Sequence, residues 1–568
     1  MFRPTSPQHS LFESRLLVPA AKRARLESSW AHAFLTKVLP LIDEEIYRDA
    51  FDPEIGRPNQ SIRLLTAVHI LKDWYDLTDE ETLEQLEYSL QWQYALGLTP
   101  DQAHLPRKTL HNHRVRTLQN DRAREMFERV TRGLAEVDGL STSRQRLDST
   151  HVISNIAALT RLGLLVETLV SFFKELKREA PEKLDGLAGT LRKRYLEREG
   201  YFADAKKEQA RRRLPVVAGD LREVILSFAD DEEVRALASY LLVVRVFEEQ
   251  CEVAGDDEEG DGDSHDSTEP PTLAKSKLKK GKEISGRSLQ SPHDPDATYG
   301  HKGKGYEVQV AETCVEENAY QVITHVDVNG AHESDQPATV RVIDALLGKG
   351  MAPDELLADT GYGSGENIVD AAGNGVDLQA PVQDPNAPPR RDTFIDAVAD
   401  TEGPQQEDDQ PLGLGAFRFN ATYNEVLACP GEQVPISHEV DDERREPYKA
   451  TFDGRACAGC ALLGRCPTVQ PKGASDRILR WRDSKAATAT RQRQQREAAF
   501  RENYKARSGI ESTNEELKGR HGARDLRVRG RARVKMAMLS KATAVNVKRA
   551  CQAALRAMMP PLPLPAPA

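Results

Sequence analysis

The sequence predicts an α/β fold whose strands lie in the middle of the chain, between helical regions. Two runs, at residues 306–310 and 320–326, carry aromatic or β-branched residues at every second position (Tyr306, Val308 and Val310, then Tyr320, Val322, Thr324 and Val326), as half-buried strands do. A helical pattern, a short apolar strand ending in Asp359, a Gly-rich turn and another helix follow them. Strands that alternate with helices in this way are typical of α/β folds.

Composition indicates a protein of several domains without a membrane segment. The chain has 568 residues, of which 39% are hydrophobic. No apolar run reaches the ~18 residues that a membrane span needs, and residues 1–28 lack the apolar region of a signal peptide. Seven cysteines, an odd number in a long chain, do not resemble a disulfide framework. We therefore expect a cytoplasmic protein with reduced thiols or metal-bound cysteines.

The charge distribution favours a nucleic-acid partner, although the net charge is −11. Residues 471–556 contain 23 Lys or Arg and only 8 Asp or Glu, whereas residues 246–270 contain 11 acids and neither Lys nor Arg. Such an acidic block is typical of a solvated tether, and the alternative is an acidic mimic of nucleic acid that occupies a basic cleft. The basic C-terminal region predicts contacts with a phosphate backbone, with Arg524, Arg527 and Arg529 among the candidates.

The N-terminal part is predicted to be helical. Residues 1–28 are expected to form a flexible tail and residues 29–143 a helical DNA-binding domain. Residues 62–74 have helical apolar spacing, and Thr78 with Glu81 forms the capping box of a following helix. The short link between these helices resembles a helix-turn-helix, although a small helical bundle has the same pattern.

The central strands fit an RNase H-like core that is interrupted twice. Its first parts are residues 144–155, which contain Asp148, and residues 290–384. Residues 156–289 are predicted to be a helical insertion that ends in an acidic and then a basic linker. Without this insertion the order is three strands, helix, strand, helix and strand, followed by a helix that carries Glu511.

The second interruption, residues 385–483, is rich in cysteine. Its spacing is C-x27-C-x2-C-x5-C, and C-x2-C thiolates are suited to tetrahedral zinc, so a zinc site is predicted, with free buried thiols as the alternative. His438 is a reserve ligand. Residues 484–556 carry the last core helix and the basic region, and residues 557–568 form a Pro-rich tail. The predicted zinc ligands are Cys429, Cys457, Cys460 and Cys466.

Four residues near the C-terminus share one face of a predicted helix. Tyr504, Arg507, Glu511 and Lys518 fall within a stripe of about 60° when each residue advances about 100°. The stripe borders an apolar face, which places Glu511 at the rim of a core. The alternative is an ordinary solvated helix face with charge pairs.

Asp148, Asp359 and Glu511 are the candidate catalytic acids. Ligand sites in open α/β sheets gather at strand ends, where Asp359 stands. Three carboxylates can hold two Mg²⁺ ions, which prefer oxygen ligands and can assist phosphoryl transfer. Any three acids could also be ordinary surface residues, so their sequence contexts carry the prediction.

Those contexts resemble the DDE transposases of bacterial insertion sequences. The resembling segments are LDSTHV around Asp148, DPDATYGHKGKGYEVQVAET from residue 294, LADTGYGS around Asp359, and Tyr504-x2-Arg507-x3-Glu511-x6-Lys518, which is the pattern of the group with a Tyr-Arg-Glu-Lys signature. The resemblance extends to the N-terminal helical region and the Cys-rich insertion. It implies a catalytic triad of Asp148, Asp359 and Glu511 on Mg²⁺ or Mn²⁺, with Tyr504, Arg507 and Lys518 positioning phosphates.

The resemblance implies an enzyme that binds terminal inverted repeats, cleaves DNA and joins the ends to target DNA, as a homodimer in the synaptic complex. A catalytically silent DNA-binding regulator derived from a transposase is the alternative. A glycosidase would also use paired carboxylates, but aromatic residues for sugar platforms make up only 6% of the chain. Trp481 is a candidate for stacking on an extruded base, with core packing as the alternative.

Overall fold

The computed structural model describes residues 1–4, 18–156, 159–197, 207–253, 276–383 and 411–558. Most of the acidic block, the first part of the second interruption and nearly all of the Pro-rich tail therefore lie outside the described residues. Within the described part, no helix is long and apolar enough to cross a membrane.

The N-terminal region is helical, as predicted. Ser61 caps one helix by accepting a hydrogen bond from Leu64 N at 3.1 Å, and Thr78 and Glu81 form the predicted capping box of the next helix. Its helices are α1 (Ala20–Glu27), α2 (Trp30–Ala33), α3 (Ile62–Tyr75), α4 (Asp79–Tyr88), α5 (Leu90–Leu96), α6 (Arg107–Leu118) and α7 (Arg122–Val137). A π-helix (Phe34–Val38) and 3-10 turns (Leu39–Leu41, Glu44–Ala50 and Gln119–Asp121) connect them.

Part of the segment predicted as a flexible tail is ordered. Helix α1 lies within residues 1–28, and its Leu26 is buried in the N-terminal core. Phe2 is also buried, with its ring centroid 6.2 Å from that of Phe51. The free energy gained by burying these apolar side chains offsets the entropy lost when the segment becomes ordered. The prediction of a tail missed this gain because most of the neighbouring residues are polar.

The first strand leads into a separate helical subdomain. Its core contains Phe172, Phe173 and Tyr195, and strands β2 and β3 pair antiparallel at the two ends of the acidic segment 254–275. The elements are β1 (Arg144–Val152), α8 (Arg161–Glu179), α9 (Pro181–Asp185), α10 (Gly189–Tyr195), α11 (Lys207–Ser227), α12 (Glu232–Arg235), α13 (Ala238–Gln250), β2 (Cys251–Val253) and β3 (Ser276–Leu278). A 3-10 turn (Gly281–Glu283) follows.

The central sheet has six strands. The remaining core elements are β4 (Thr298–Gly300), β5 (Gly303–Thr313), β6 (Ile323–Gly330), α14 (Ala338–Gly348), β7 (Glu355–Ala358), α15 (Gly365–Gly373) and β8 (Asp377–Gln379). Strand β5 pairs antiparallel with β4, β6 and β1, whereas β1, β7 and β8 are parallel neighbours. The prediction of a mixed α/β fold is therefore confirmed. The parallel half matters for the site because its strands end at one edge.

A small β-rich module, residues 411–481, precedes the last helices. Strands β9 (Arg418–Phe419) and β10 (Val426–Ala428) form a ribbon, and β11 (Ser437–Val440), β12 (Tyr448–Phe452) and β13 (Arg477–Trp481) form a three-stranded sheet. Helix α16 (Gly454–Ala458) follows β12. Short 3-10 turns lie at Leu414–Ala416 and Leu463–Arg465.

The C-terminal helices close the structure. They are α17 (Asp483–Gln494), α18 (Ala498–Tyr504), α19 (Gly509–Glu515) and α20 (Arg531–Met558). Helix α20 packs on β6, α3 and α7, so the N-terminal helices and the sheet share its buried face. Asn546 ties this helix to the sheet, because its side chain accepts from Ile323 N at 2.7 Å and donates to Ile323 O at 2.8 Å.

Candidate active site

The middle of β1 and the end of β7 present Asp148 and Asp359 side by side. Strands β1 and β7 run parallel, and their pairing ends with Leu147 opposite Ala358. The next residue of each chain segment is an aspartate, so both leave the paired region at the same edge. The structure thus brings together two of the three predicted acids.

The turn after Asp359 is closed by the aspartate itself. Its Oδ1 accepts a hydrogen bond from Gly361 N at 2.7 Å. A Cβ atom at Gly361 would lie 3.0 Å from Asp359 Oδ1 and 3.4 Å from Asp335 Oδ2. Glycine therefore leaves room for two carboxylates at this turn, and Asp335 is a third acid at the strand ends.

Sequence reasoning missed Asp335, which lies between β6 and α14. Its carboxylate accepts hydrogen bonds from Gln309 Nε2 at 2.8 Å and from Ser149 Oγ at 3.3 Å. Burial raises the pKa of Asp335, and the charges of Glu307 and Asp359 raise it further. The sequence did contain a signal for Asp335, because it is an acid in the loop after a strand, and the same kind of position singled out Asp359.

Asp148 is the most strongly perturbed of the predicted acids. Burial raises the pKa of its carboxyl to about 6, and the charge of Asp359 acts in the same direction. Arg507 and Lys302 oppose the shift by stabilising the carboxylate. Asn514 Nδ2 also donates a hydrogen bond to Asp148 Oδ2 at 3.2 Å. A buried acid with a perturbed pKa at strand ends is a functional-site signal.

The segment that carries Glu511 is helical but irregular. The single regular helix expected from Tyr504 to Lys518 is instead α18, a 3-10 turn (Lys505–Ser508), α19 and a π-helix (Glu516–Arg520). Arg146 accompanies this distortion: its Nη1 donates to Ala506 O at 2.8 Å, and a Cβ at Gly509 would lie 1.8 Å from the same nitrogen. The tight turn thus lets the segment approach β1.

Arg507 links the predicted acids. Its Nη2 lies 3.0 Å from Glu511 Oε1, and its side chain is 11% exposed whereas that of Glu511 is 62% exposed. Burial would lower the pKa of Arg507, but Tyr504, Asp148, Glu511 and Asp359 together outweigh burial and raise it. Tyr504 in turn donates to Ala358 O at 3.0 Å, next to Asp359. All three acids therefore act on one guanidinium.

A buried polar network holds α19 and α20 against the sheet. Glu312 of β5 is fully buried and accepts hydrogen bonds from Arg146 Nε at 2.8 Å, Thr513 Oγ1 at 2.7 Å and Arg549 Nη1 at 2.9 Å. Because Thr513 lies two residues beyond Glu511, this network sets the position of α19 relative to β1.

Two further polar residues beside Asp148 escaped sequence reasoning. Asn514 lies three residues after Glu511, and its Oδ1 is buried without a hydrogen-bond partner in the described structure. Lys302, in the turn between β4 and β5, bonds Glu307 at 2.8 Å and also acts on Asp148 and Asp335. The signal for Asn514 was its i, i+3 spacing from Glu511 on a helix, and the signal for Lys302 was its place in a basic, Gly-rich turn.

The predicted phosphate-binding residues have varied surroundings. Lys518 is partly buried, and burial lowers its pKa, with Lys302 and Arg524 among its charged neighbours. Arg524, Arg527 and Arg529 are exposed. Arg524 pairs with Glu515 at 3.5 Å, Arg527 donates to Leu77 O at 3.0 Å, and Arg529 donates to the carbonyl of Asn155. Arg527 thus also joins the loop before α20 to the N-terminal helices.

The chemistry of the acids suits a divalent cation, although they are not gathered around a common point. Among the described residues, no group of three or more His, Cys, Asp or Glu side chains is arranged as a metal-ligand set. Glu511 is instead paired with Arg507. The possible metal ligands are all oxygens, the ligand type that Mg²⁺ prefers. They are the carboxylates of Asp148, Asp359 and Asp335 and the unpaired Oδ1 of Asn514.

The four predicted zinc ligands line one small cavity in the β-rich module. His438, the reserve ligand, is engaged elsewhere, since its Nε2 lies 3.2 Å from Val426 N and 3.1 Å from Val426 O. Trp481 is fully buried and donates to Tyr423 O at 2.7 Å. Trp481 therefore packs in the core, which was the alternative to the predicted base stacking. Base stacking is excluded in this structure because no face of the ring is accessible.

Two parts of the chain match known protein families. Residues 428–551 match the family described as "Transposase DDE domain", and residues 24–116 match "Transposase domain (DUF772)". The two matches support a DDE transposase of an insertion sequence. The matched segments contain Glu511 and most of the N-terminal helices, whereas Asp148 and Asp359 lie between them.

One curated relative of the chain is "Uncharacterized protein ORF8 in nfe locus" of Rhizobium meliloti. It is 32% identical over 95 residues, which are 17% of this chain and 43% of that protein. The chain therefore spans less than half the length of this relative. No solved structure matches the chain.

Proposed function

We propose that the chain is an active transposase that binds the terminal inverted repeats of its own element, cleaves phosphodiester bonds and joins the ends to target DNA. The observation that carries this proposal is the placement of Asp148 in β1 beside Asp359 at the end of β7, with Arg507 paired to Glu511 and acting electrostatically on both aspartates. We further assign the chain to the group with the Tyr-Arg-Glu-Lys signature. It would act in the cytoplasm, as a homodimer that holds two ends.

The core is proposed to be RNase H-like. The supporting observation is a sheet in which three antiparallel strands, β6, β5 and β1, continue into the parallel strands β7 and β8. Residues 29–143 would bind DNA through their helices, and the basic residues of the C-terminal loop would contact the backbone.

The acids would hold Mg²⁺ or Mn²⁺ through Asp148, Asp359 and Glu511, with Asp335 beside them. Divalent ions in such a site supply activation of the attacking oxygen and stabilisation of the leaving oxygen. The protein's own side chains would neutralise charge and position the chain. Arg507 neutralises the crowded carboxylates, and Tyr504 holds the chain next to Asp359 through the carbonyl of Ala358.

Cations at the rim would position the DNA phosphate. Lys302 and Lys518 act on each other electrostatically and therefore lie near each other. A phosphodiester placed between them would gain charge-assisted hydrogen bonds while its scissile bond faces Asp148.

The decisive experiment is cleavage of a duplex that carries the inverted repeats flanking the gene. We expect nicking in Mg²⁺, none in EDTA, and a loss of about 10³-fold in Glu511→Gln, because a carboxylate ligand becomes a neutral amide. Glu502→Gln is the matched control, since Glu502 is 75% exposed and pairs with Lys505 away from the acids. A regulator would instead bind the duplex in EDTA and leave it intact in Mg²⁺, which would overturn the proposal.

Asp335→Asn tests the acid that the sequence did not single out. Removing its charge beside Asp359 is expected to weaken Mn²⁺ binding about tenfold, because groups that support metal ligands commonly contribute that much. Calorimetric titration of the DNA-free protein with Mn²⁺ measures the change. Asp344→Asn, an exposed position on α14, is the control. Unchanged affinity in Asp335→Asn would remove Asp335 from the site.

A further inference from the structure

The β-rich module gathers four thiols from separate places in the chain. Cys429 follows β10, Cys457 lies in α16, Cys460 follows this helix, and Cys466 follows the 3-10 turn Leu463–Arg465. All four side chains line one cavity of about 20 Å³, which is about the room that a single water-sized particle needs. Cys457, Cys460 and Cys466 are close in sequence, whereas 27 residues separate Cys429 from them, so it is the fold that brings Cys429 to the other three.

The local geometry suits thiolates. A Cβ at Gly431 would lie 3.1 Å from Cys460 Sγ and 3.8 Å from Cys429 Sγ, so glycine lets the two sulfurs approach the same turn. Gln433 N donates to Cys429 Sγ at 3.3 Å, and the Thr468 hydroxyl lies 3.2 Å from Cys466 Sγ. Donors directed at sulfur favour its charged form.

The module has little else to stabilise it. Its described core contains six buried apolar residues of the module and Ala486 of α17, with Cys429, Cys457 and Cys466 packed against them. All seven cysteines of the chain are free thiols in the structure. Small domains with so few buried apolar groups commonly depend on a disulfide or a structural metal.

We propose that Cys429, Cys457, Cys460 and Cys466 bind one structural Zn²⁺ ion. Four thiolates form a closed tetrahedral set, and soft sulfur ligands select Zn²⁺ over the Mg²⁺ of the candidate active site. The four sulfurs are not arranged as a metal-ligand set in the described structure, so binding would release the thiol protons and draw the sulfurs inward to about 2.3 Å from the ion. His438 remains outside the set because it is held by Val426.

The zinc site would support the candidate active site from a distance. The module continues from β13 directly into α17, which packs on α15. That packing is close, since a Cβ at Gly365 would lie 1.8 Å from Ser484 O. Helix α15 begins shortly after Asp359, so a module stiffened by zinc would hold the Asp359 turn in place.

Zinc content of the purified full-length protein tests the proposal. We expect one zinc per chain by elemental analysis, and loss of this zinc in the double variant Cys457→Ser/Cys460→Ser. The control is Cys314→Ser, a buried cysteine next to β5 and outside the module, which should keep its zinc. Co²⁺ in place of zinc should give the strong visible absorption of a tetrahedral thiolate site.

A protein isolated without zinc that also fails to take up Zn²⁺ or Co²⁺ would overturn the proposal. So would zinc content that the double cysteine variant retains, or disulfides between these cysteines in the native protein. These readouts do not involve DNA cleavage, so the zinc proposal can fail while the proposed transposase activity stands, and the reverse also holds.

Discussion

Asp148→Asn is expected to abolish DNA cleavage while making the metal-free protein more stable at neutral pH. The pKa of Asp148 rises from an ordinary value of 3.8 to about 6, chiefly because of burial. Its charged form therefore costs the folded state up to about 3 kcal/mol, at about 1.4 kcal/mol for each pKa unit. A neutral amide removes that cost and can still accept the Asn514 hydrogen bond, but it is a poorer cation ligand.

The gain in stability should depend on pH in a defined direction. Between about pH 4 and 6 the unfolded chain releases the proton of Asp148, whereas the folded chain retains it. Stability of the natural protein therefore falls through this window as pH rises, relative to the Asn variant. The two proteins should have similar unfolding free energies near pH 4 and differ most above pH 6.

Urea denaturation in EDTA at pH 4.5 and pH 7.5 measures this effect. The control is Asp354→Asn, which removes an exposed carboxylate at the other end of β7. A variant that is no more stable than the natural protein at pH 7.5 would contradict the burial of charge at Asp148. Retained cleavage by that variant would contradict its role in catalysis.

Glu312→Gln is expected to cause the largest loss of stability. Glu312 is fully buried between Arg146 and Arg549, and its neutral replacement would leave Arg146 without its counterion and Arg549 with Glu516 alone. Breaking a buried ion pair from one side costs about 3–5 kcal/mol. The helix that carries Glu511 should loosen as well, because Thr513 loses its acceptor.

Two measurements separate these consequences. Urea denaturation gives the loss of stability, and hydrogen exchange of the α19 amides reports whether this helix opens locally. Glu317→Gln, at an exposed position in the turn after β5, is the matched control. An unchanged denaturation midpoint in Glu312→Gln would show that the network does not hold the helix.

The sequence predicted the family and the mixed α/β fold correctly. The contexts of the acids indicated DDE transposases, as the two family matches confirm. The capping box of α4 was also predictable, because Thr78 and Glu81 interact within one helical turn. Such features depend on residues that are close in sequence.

The regular helix expected around Glu511 shows where local reasoning fails. A constant advance per residue predicted one smooth stripe, but Arg146, more than 350 residues earlier, draws the Ala506 carbonyl into a 3-10 turn. Helical periodicity contains no information about such a distant partner. The same applies to Phe2 and α1, which are ordered by contacts with a core that the N-terminal residues alone do not reveal.

The sequence by itself determined the residue types on which the proposed chemistry depends: acids at predicted strand ends and a basic C-terminal region. Only the tertiary structure decided how they meet, because the parallel register of β1 and β7 places Asp148 beside Asp359. The tertiary structure also added Asp335 and Asn514 to the candidate site, and it excluded base stacking by the buried Trp481. Each outcome follows from long-range contacts, since burial and strand pairing depend on residues far apart in sequence.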